Sequence, residues 1–187
     1  MHGLRSLQPD DAPAALEVLI DAVQSQAVRL YDADQVRAWC DHARTQVDLV
    51  AALARGQGWG SVSAGGDAAD PEAPGCLEAF ALRDPPDRLS LLYCRGRSCR
   101  QGRASALLLA VERSAAAEGI GRLRTEASQL SRPLLLRHGW QEEAAEVVVL
   151  AGVAFERWRM VRTLALPSTD NGATALENGP VPPGADG

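Results

Sequence analysis

The sequence predicts an α/β (α+β) domain in which helices cover a central sheet, and three observations carry that prediction. Apolar residues recur at helical spacing through the first 55 residues, and short strand-like runs follow them. From Leu89 onward the order becomes strand, loop, helix, strand, short helix and hairpin. With 187 residues, 46% hydrophobic and 23% charged, the chain has the size and composition of one domain with a sizeable core.

Each element has a local reason. Pro9, Asp10, Asp11 and Pro13 mark a helix start, with a capping carboxylate and a proline in the first turn. Leu16, Leu19, Ile20, Val23 and Ala27 carry that helix to about Val28. A second helix is predicted from about Asp34 to Ala43, with Val36, Trp39, Cys40 and Ala43 on one side. A third runs from Val47 to Arg55 and stops at Gly56, a residue suited to the left-handed conformation that closes helices. Trp59 to Ala64 and Leu77 to Leu82 read as strands separated by a Gly-, Asp- and Pro-rich connection. After the turn Asp84-Pro85-Pro86-Asp87 comes an apolar strand, Leu89 to Cys94, then a basic loop, Arg95 to Arg103. The helix Ala104 to Glu118 turns Ala104, Leu107, Leu108, Val111 and Ala115 inward and ends at Gly119. Leu123 to Ala127 is a strand, and Pro133 to His138 is a short helix closed by Gly139. Val147 to Leu150 and Val153 to Leu164 form a hairpin turning at Ala151 and Gly152. From Ala165, four prolines, four glycines and almost no apolar pattern predict a disordered tail, leaving residues 1–164 as the domain.

All 19 basic residues are arginine, which excludes Schiff-base lysine chemistry, pyridoxal phosphate enzymes and a Walker A loop. The net charge of −5 is unevenly spread. Residues 1–94 hold seven arginines against 14 acids, whereas residues 95–162 hold 12 arginines against seven. That middle stretch is built to meet anions. Only 4% of residues are aromatic, a poor stacking platform for bases, so a phosphorylated small molecule is the better ligand and nucleic acid is not expected. Cys40, Cys76, Cys94 and Cys99 form no Cys-x-x-Cys pair and the three histidines are scattered, so no metal site is expected. Acidic residues crowd the first thirty positions and no apolar run approaches 18 residues, so no signal peptide or membrane span is expected. A cytoplasmic protein with reduced thiols follows as the expectation.

Residues 89–128 carry the chemistry. An apolar strand feeds an arginine-rich, glycine-bearing loop that opens directly into a helix. Unpaired N–H groups at such a helix start lie at the positive end of its dipole and can hold a phosphate without any side chain. Gly102 lets the backbone approach a ligand, Ala104 keeps the first turn uncluttered, and Arg95, Arg97, Arg100 and Arg103 offer charge-assisted bonds. A solvated basic turn before a core helix explains the same spacing equally well.

Cys99-Arg100-Gln101-Gly102-Arg103-Ala104 resembles the acetyl-coenzyme A loop of the GCN5-related N-acetyltransferase family, with Cys99 where the family usually has Gln or Arg. Further matches fall in the family's order. Arg132 to Trp140 resembles its Phe-Tyr-x-x-x-Gly-Phe element, and Thr125 to Ser128 looks like the end of its fifth strand. Leu4 to Leu7 with Asp10, Asp11 and Ala12 looks like the first strand and helix of a bacterial subgroup. That subgroup's Tyr-x-x-x-Gln-x-x-x-Trp stretch has its counterpart in Tyr31, Gln35 and Trp39. The similarity spans about residues 3–164.

The resemblance implies a mixed, mostly antiparallel sheet flanked by helices, with the fourth and fifth strands splayed around a pantetheine arm. Leu92 and Cys94 would bond that arm through their backbone. The loop residues Arg100, Gln101, Gly102, Arg103, Ala104 and Ser105 would hold the pyrophosphate, and Ser128 would stand near the pantetheine. Acetyl-CoA becomes the expected co-substrate. A primary amine of a small molecule or protein becomes the acceptor, and the oligomeric state stays open, a homodimer included. Leu135 stands where many members place the tyrosine that protonates the departing thiolate.

Acetyl transfer needs a neutral amine, a polarised thioester carbonyl and a route for the proton. Glu78 and Glu126 are the carboxylates expected nearest the cleft and the candidates for catalytic base; both are also readable as ordinary strand carboxylates. Tyr93 could replace the missing acid, although strand alternation sets it on the face opposite Cys94. Cys99, near a helix start and beside arginines, reads either as an oxidation-prone thiol or as a small filler under the loop. Cys99, Arg103, Gly96 and Leu135 depart from the family pattern and support a second reading: a catalytically weak or inactive protein of this fold, acting as an acetyl-CoA sensor or interaction domain.

Overall fold

The computed structural model describes residues 3–45, 47–63 and 75–167. Most of the connection after Ser63 and all of the tail beyond Pro167 lie outside the described residues. The chain runs β1 (Gly3–Ser6), α1 (Ala12–Gln26), α2 (Ala33–Thr45), α3 (Leu49–Arg55), β2 (Gln57–Val62), β3 (Leu77–Arg83) and β4 (Leu89–Cys94). It continues through α4 (Arg103–Ala117), β5 (Arg122–Ala127), α5 (Arg132–Arg137), β6 (Gln141–Leu150) and β7 (Val153–Thr163).

Side chains set the helix boundaries. Asp11 accepts the Gln8 N–H at 2.8 Å and pairs with Arg5 at 2.6 Å, which fixes the chain's approach to α1. The bond from Arg5 holds the Asp11 carboxyl below its ordinary range. Asp48 caps α3 by accepting the Ala51 N–H at 2.9 Å. α1 buries Ala15, Val18, Leu19, Ala22 and Val23, so its inner face is turned slightly from the predicted one and Leu16 and Ile20 are half-buried at its edge. Gly56 corrects the sequence reading: its φ of −97° and ψ of −167° are extended, not left-handed. Glycine is needed there for space, since a Cβ would stand 2.5 Å from the Arg83 carbonyl oxygen.

Two antiparallel sheets result, ordered β1-β2-β3-β4 and β5-β7-β6. They meet at the starts of β4 and β5, through a parallel bridge between Arg88 and Arg124. The Arg124 N–H donates to the Asp87 carbonyl at 2.9 Å, and the Thr125 hydroxyl donates to the Leu89 carbonyl at 2.7 Å. Past this hinge the described residues of β4 and β5 form no ladder, and a gap opens between the strands.

β3 is buried along its whole length and divides two cores. Phe80 and Leu82 pack with Val18, Leu19 and Val23 of α1 and with Tyr31 and Phe155, whereas Ala79 and Ala81 pack with Leu107, Leu108, Val111, Leu123, Leu135, Trp140 and Met160. Thus α1, α2 and α3 cover one face, and α4 and α5 the other.

The last hairpin is longer than predicted, since β6 begins at Gln141 rather than Val147. Its first half is held by charge: Glu142 pairs with Arg132, Glu143 with Arg122, and Glu146 with Arg157. Apolar alternation was a poor guide to such a strand. The turn falls where predicted, with Ala151 at φ 49° and Gly152 at φ 81°, the positive pair of a type I′ hairpin.

Candidate functional site

A cavity of about 390 Å³ occupies the gap between β4 and β5. Leu92 and Cys94 line one wall, Thr125, Glu126 and Ser128 the other, and Gly102 to Ser105 one end. Its other side reaches Ala22 and Gln26 of α1 and Trp39 of α2.

The register of β4 decides which backbone groups face the gap. β4 pairs antiparallel with β3, Ala79 opposite Cys94 and Ala81 opposite Leu92, and the Arg95 N–H donates to the Glu78 carbonyl at 2.8 Å. Hydrogen-bonded and non-bonded pairs alternate in such a ladder. Arg95 and Tyr93 therefore address β3, while the N–H and C=O of Leu92 and Cys94 turn toward the gap. These are the two positions the sequence assigned to an arm lying in it.

At the end of β4 the chain makes a tight turn, with the Ser98 N–H on the Arg95 carbonyl at 3.0 Å and the Gly96 N–H on the Asp21 carboxylate at 2.7 Å. Gly102 then takes φ 79° as the residue before α4, and no side chain caps the helix. The N–H groups of Arg103, Ala104 and Ser105 stay open toward the cavity, because the helical ladder begins with the Ala106 N–H on the Gly102 carbonyl at 2.9 Å. A Cβ built at Gly102 meets nothing within 4 Å, so that position borders open space. The features required of a phosphate cradle, an uncapped helix start and a glycine with room around it, come together here.

The four arginines around this loop differ in availability. Arg95 bonds the Leu77 carbonyl at 3.0 Å and Glu17 at 3.1 Å, and Arg97 bonds Glu78 at 2.6 and 3.1 Å. Arg103 is buried and donates to Ser61 at 2.9 Å and the Val62 carbonyl at 3.1 Å, tying α4 to β2. Arg100, exposed and at φ 60°, has no hydrogen-bond or ion-pair partner among the described residues. Gln101 donates to the Arg97 carbonyl at 3.1 Å.

The two candidate carboxylates are also far apart in role. Glu78 is 4% exposed and lies under the loop, outside the cavity lining. It accepts from Arg97 and, at 2.6 Å, from the Ser98 hydroxyl, and the Arg97 bond is the main cause of a carboxyl held below its usual range. Glu126 lines the cavity, its carboxylate gripped by Arg88 at 2.6 and 2.9 Å. Ser128 exchanges bonds with Ser131, its N–H on that hydroxyl at 3.0 Å, and so shapes the start of α5. Ser105 meets His138 Nε2 at 3.0 Å.

Leu135 is 1% exposed and packs in the core under α4, where it also lines the cavity. Tyr93 touches the cavity from the α1 and α2 side, stacked on Phe80 and accepting a bond from Trp39 Nε1 at 3.3 Å. Burial pushes its hydroxyl up to about 12. Tyr31 accepts the Gln129 N–H at 2.9 Å and packs edge-on against Trp39, so both aromatic residues are structural props for the β5 side. Ala22, Gln26 and Leu130 also line the cavity and were not singled out from the sequence. Their chemistry is unremarkable, and only the fold brings them there.

A split sheet, a strand whose backbone faces the gap and an uncapped helix after it make up an α/β fold that matches that of the GCN5-related N-acetyltransferases. No family model and no curated protein matches the sequence. Solved structures do match by shape. A GCN5-related N-acetyltransferase from Rhodopseudomonas palustris aligns with a TM-score of 0.77 at 20% identity, over 88% of this chain and 96% of that one. The PaiA N-acetyltransferase of Thermoplasma acidophilum, solved in complex with coenzyme A, aligns with a TM-score of 0.67 at 15% identity, over 87% and 99% of the two chains. The ribosomal-protein-S18-alanine N-acetyltransferase of Escherichia coli gives 0.60 at 16% identity, over 91% and 98%. Among the described residues no helix is long and apolar enough to cross a membrane.

Proposed function

We propose that the protein is an acetyl-CoA-dependent N-acetyltransferase acting on a primary amine of a small molecule or protein. The observation that carries this is the continuity of one surface: backbone of Leu92 and Cys94 that is not paired with β3, then the uncapped start of α4 behind Gly102. Acetyl-CoA supplies an acetyl group as a thioester. The N–H groups of Arg103, Ala104 and Ser105, with Arg100, hold its phosphates. The backbone of Leu92 and Cys94 aligns the arm and polarises the carbonyl.

Glu126 takes the part of base, directly or through a water, because it borders the cavity on the wall opposite β4 and Arg88 fixes its carboxylate. Glu78 serves as an anchor instead. Its oxygens are occupied by Arg97 and Ser98, so it holds the loop in the shape that phosphates need. Tyr93 is a poor proton donor to a thiolate, since a hydroxyl at about 12 is a far weaker acid than a thiol near 8.5. With Leu135 offering no proton either, the thiolate leaves unassisted and is protonated by solvent, which makes this a slow transferase.

A transfer assay tests the proposal. Acetyl-CoA is incubated with the protein and a panel of primary amines, and free thiol is followed alongside the mass of each amine. Amine-dependent thiol release with matching gain of an acetyl group is the expected result. Binding of acetyl-CoA with no transfer to any amine would leave a coenzyme-binding protein and refute the enzyme.

A further inference from the structure

Two thiols meet in the wall of the cavity and have no part in the chemistry above. Cys94 ends β4 and Cys99 closes the turn that follows; both are free, half-buried and exposed to the cavity. The turn folds back on itself, with the Cys99 N–H on the Gly96 carbonyl at 3.3 Å, and returns Cys99 to the strand it left. Its thiol lies 3.8 Å from the Cys94 carbonyl oxygen, and the Cys94 thiol lies 3.6 Å from the Arg95 carbonyl oxygen. The Cys99 side chain is close enough to be one of the groups that raise the Cys94 thiol. Glu78, by gripping Arg97 and Ser98 between them, holds the turn in this shape. The other cysteines are placed differently: Cys40 is buried in α2, and Cys76 is exposed beside the start of β3.

We propose that Cys94 and Cys99 are a modification site, forming an intramolecular disulfide when the protein meets a hydroperoxide. The Cys99 thiolate attacks the peroxide, an S–O bond forms as the O–O bond breaks, and an alcohol or water leaves with the thiol proton. The Cys94 sulfur then attacks the sulfenic sulfur; the S–S bond forms, the S–O bond breaks, and the hydroxyl leaves as water with the Cys94 proton. Two thiols and one hydroperoxide thus give one disulfide, one alcohol or water, and one water. The order follows from the surroundings, because burial and the neighbouring Cys99 push the Cys94 thiol up to about 12 and make it the slower to ionise.

The bond acts on the coenzyme surface. A disulfide holds its sulfurs about 2.05 Å apart, far closer than two thiols in contact, so Cys99 is drawn onto the β4 edge at Cys94. Arg100 and Gly102 are carried with it, and the cradle between them and the gap-facing backbone of Cys94 narrows. This consequence rests on the acetyl-CoA reading; the bond itself does not.

The full chain is treated with a small excess of hydrogen peroxide, mapped by mass spectrometry without reduction, and titrated with acetyl-CoA by calorimetry before oxidation, after it, and after dithiothreitol. A Cys94–Cys99 cross-link is expected, lighter than the reduced peptides by two hydrogens, about 2 Da. Acetyl-CoA affinity is expected to fall about tenfold or more, an amount worth about 1.4 kcal/mol, and to return on reduction. Cys99→Ser forms no cross-link and shows the same affinity before and after peroxide, while Cys94→Ser stops at a sulfenic acid that a dimedone reagent traps. Pairing of Cys99 with Cys76, or oxidation of Cys99 to a sulfinic acid with Cys94 present and unlinked, would overturn the site. A cross-link that leaves the affinity unchanged would overturn the closure. A protein that forms the cross-link yet never bound acetyl-CoA would uphold the site and refute the coenzyme reading instead.

Discussion

The two walls of the cavity are built on different principles. The β4 wall and the loop after it present backbone: Leu92, Cys94, Gly102 and the start of α4 offer N–H and C=O groups, and side chains such as Glu78, Arg97 and Arg103 act behind them as braces. The β5 wall presents side chains, namely Glu126, Ser128 and Ser131, with Leu135 lining the cavity from the core as an apolar group. Backbone geometry survives nearly any substitution that preserves the turn and the helix, whereas proton transfer depends on one atom of one residue. Binding should therefore be robust in this chain and catalysis fragile.

Substitutions on each side can break or sharpen that contrast. The largest effect is expected at Glu126→Gln, which removes the proposed base: kcat should fall about 100-fold or more with KM for acetyl-CoA nearly unchanged. Steady-state kinetics with the best amine checks it, and a drop confined to KM would move Glu126 from chemistry to binding. On the opposite wall, Gly102→Val forces a β-branched residue to φ 79°. Strain of about 1–3 kcal/mol should weaken acetyl-CoA by about tenfold to 100-fold, measured by calorimetry, with the fold retained because nothing lies within reach of the new Cβ.

Glu78→Gln should act more gently, loosening the loop at a cost of about 1–2 kcal/mol in stability, read from denaturant midpoints. The wild-type pH dependence carries the same information. Because the folded-state pKa of Glu78 is depressed, its contribution is fully present above its ordinary value of 4.5 and is lost as pH falls through the lower folded value. Loss of stability that begins well above pH 4.5 would point to another group. The smallest effect is expected at Tyr93→Phe, less than about twofold in kcat, since this hydroxyl keeps its proton too tightly to give it up.

The β4 wall was also the legible one. Strand, loop and helix at residues 89–118 follow from an apolar run, a glycine and helical periodicity, all local features, and the structure places them within a residue of the prediction. Less could be read where partners come from afar. Four arginines in nine residues suggested four phosphate ligands, yet Arg95, Arg97 and Arg103 are bound by Glu17, Glu78 and Ser61, which no local pattern links to them. The first half of β6 is stabilised by Arg122, Arg132 and Arg157, so its strand character lies in other parts of the chain. Gly56 has its own lesson: the sequence marks the helix end, but the carbonyl of Arg83 is what requires glycine. Cys94 and Cys99 were separate observations in the sequence, and the turn between them makes them a pair.

Calorimetry of the reduced protein with acetyl-CoA, run beside Gly102→Val, tests the backbone-built site most directly. A one-to-one complex with Kd well below about 1 mM, weakened by the substitution while thermal unfolding falls only by the several degrees that such strain costs and stays cooperative, is the result predicted. No heat of binding at millimolar acetyl-CoA, or equal binding by the two proteins, would contradict it.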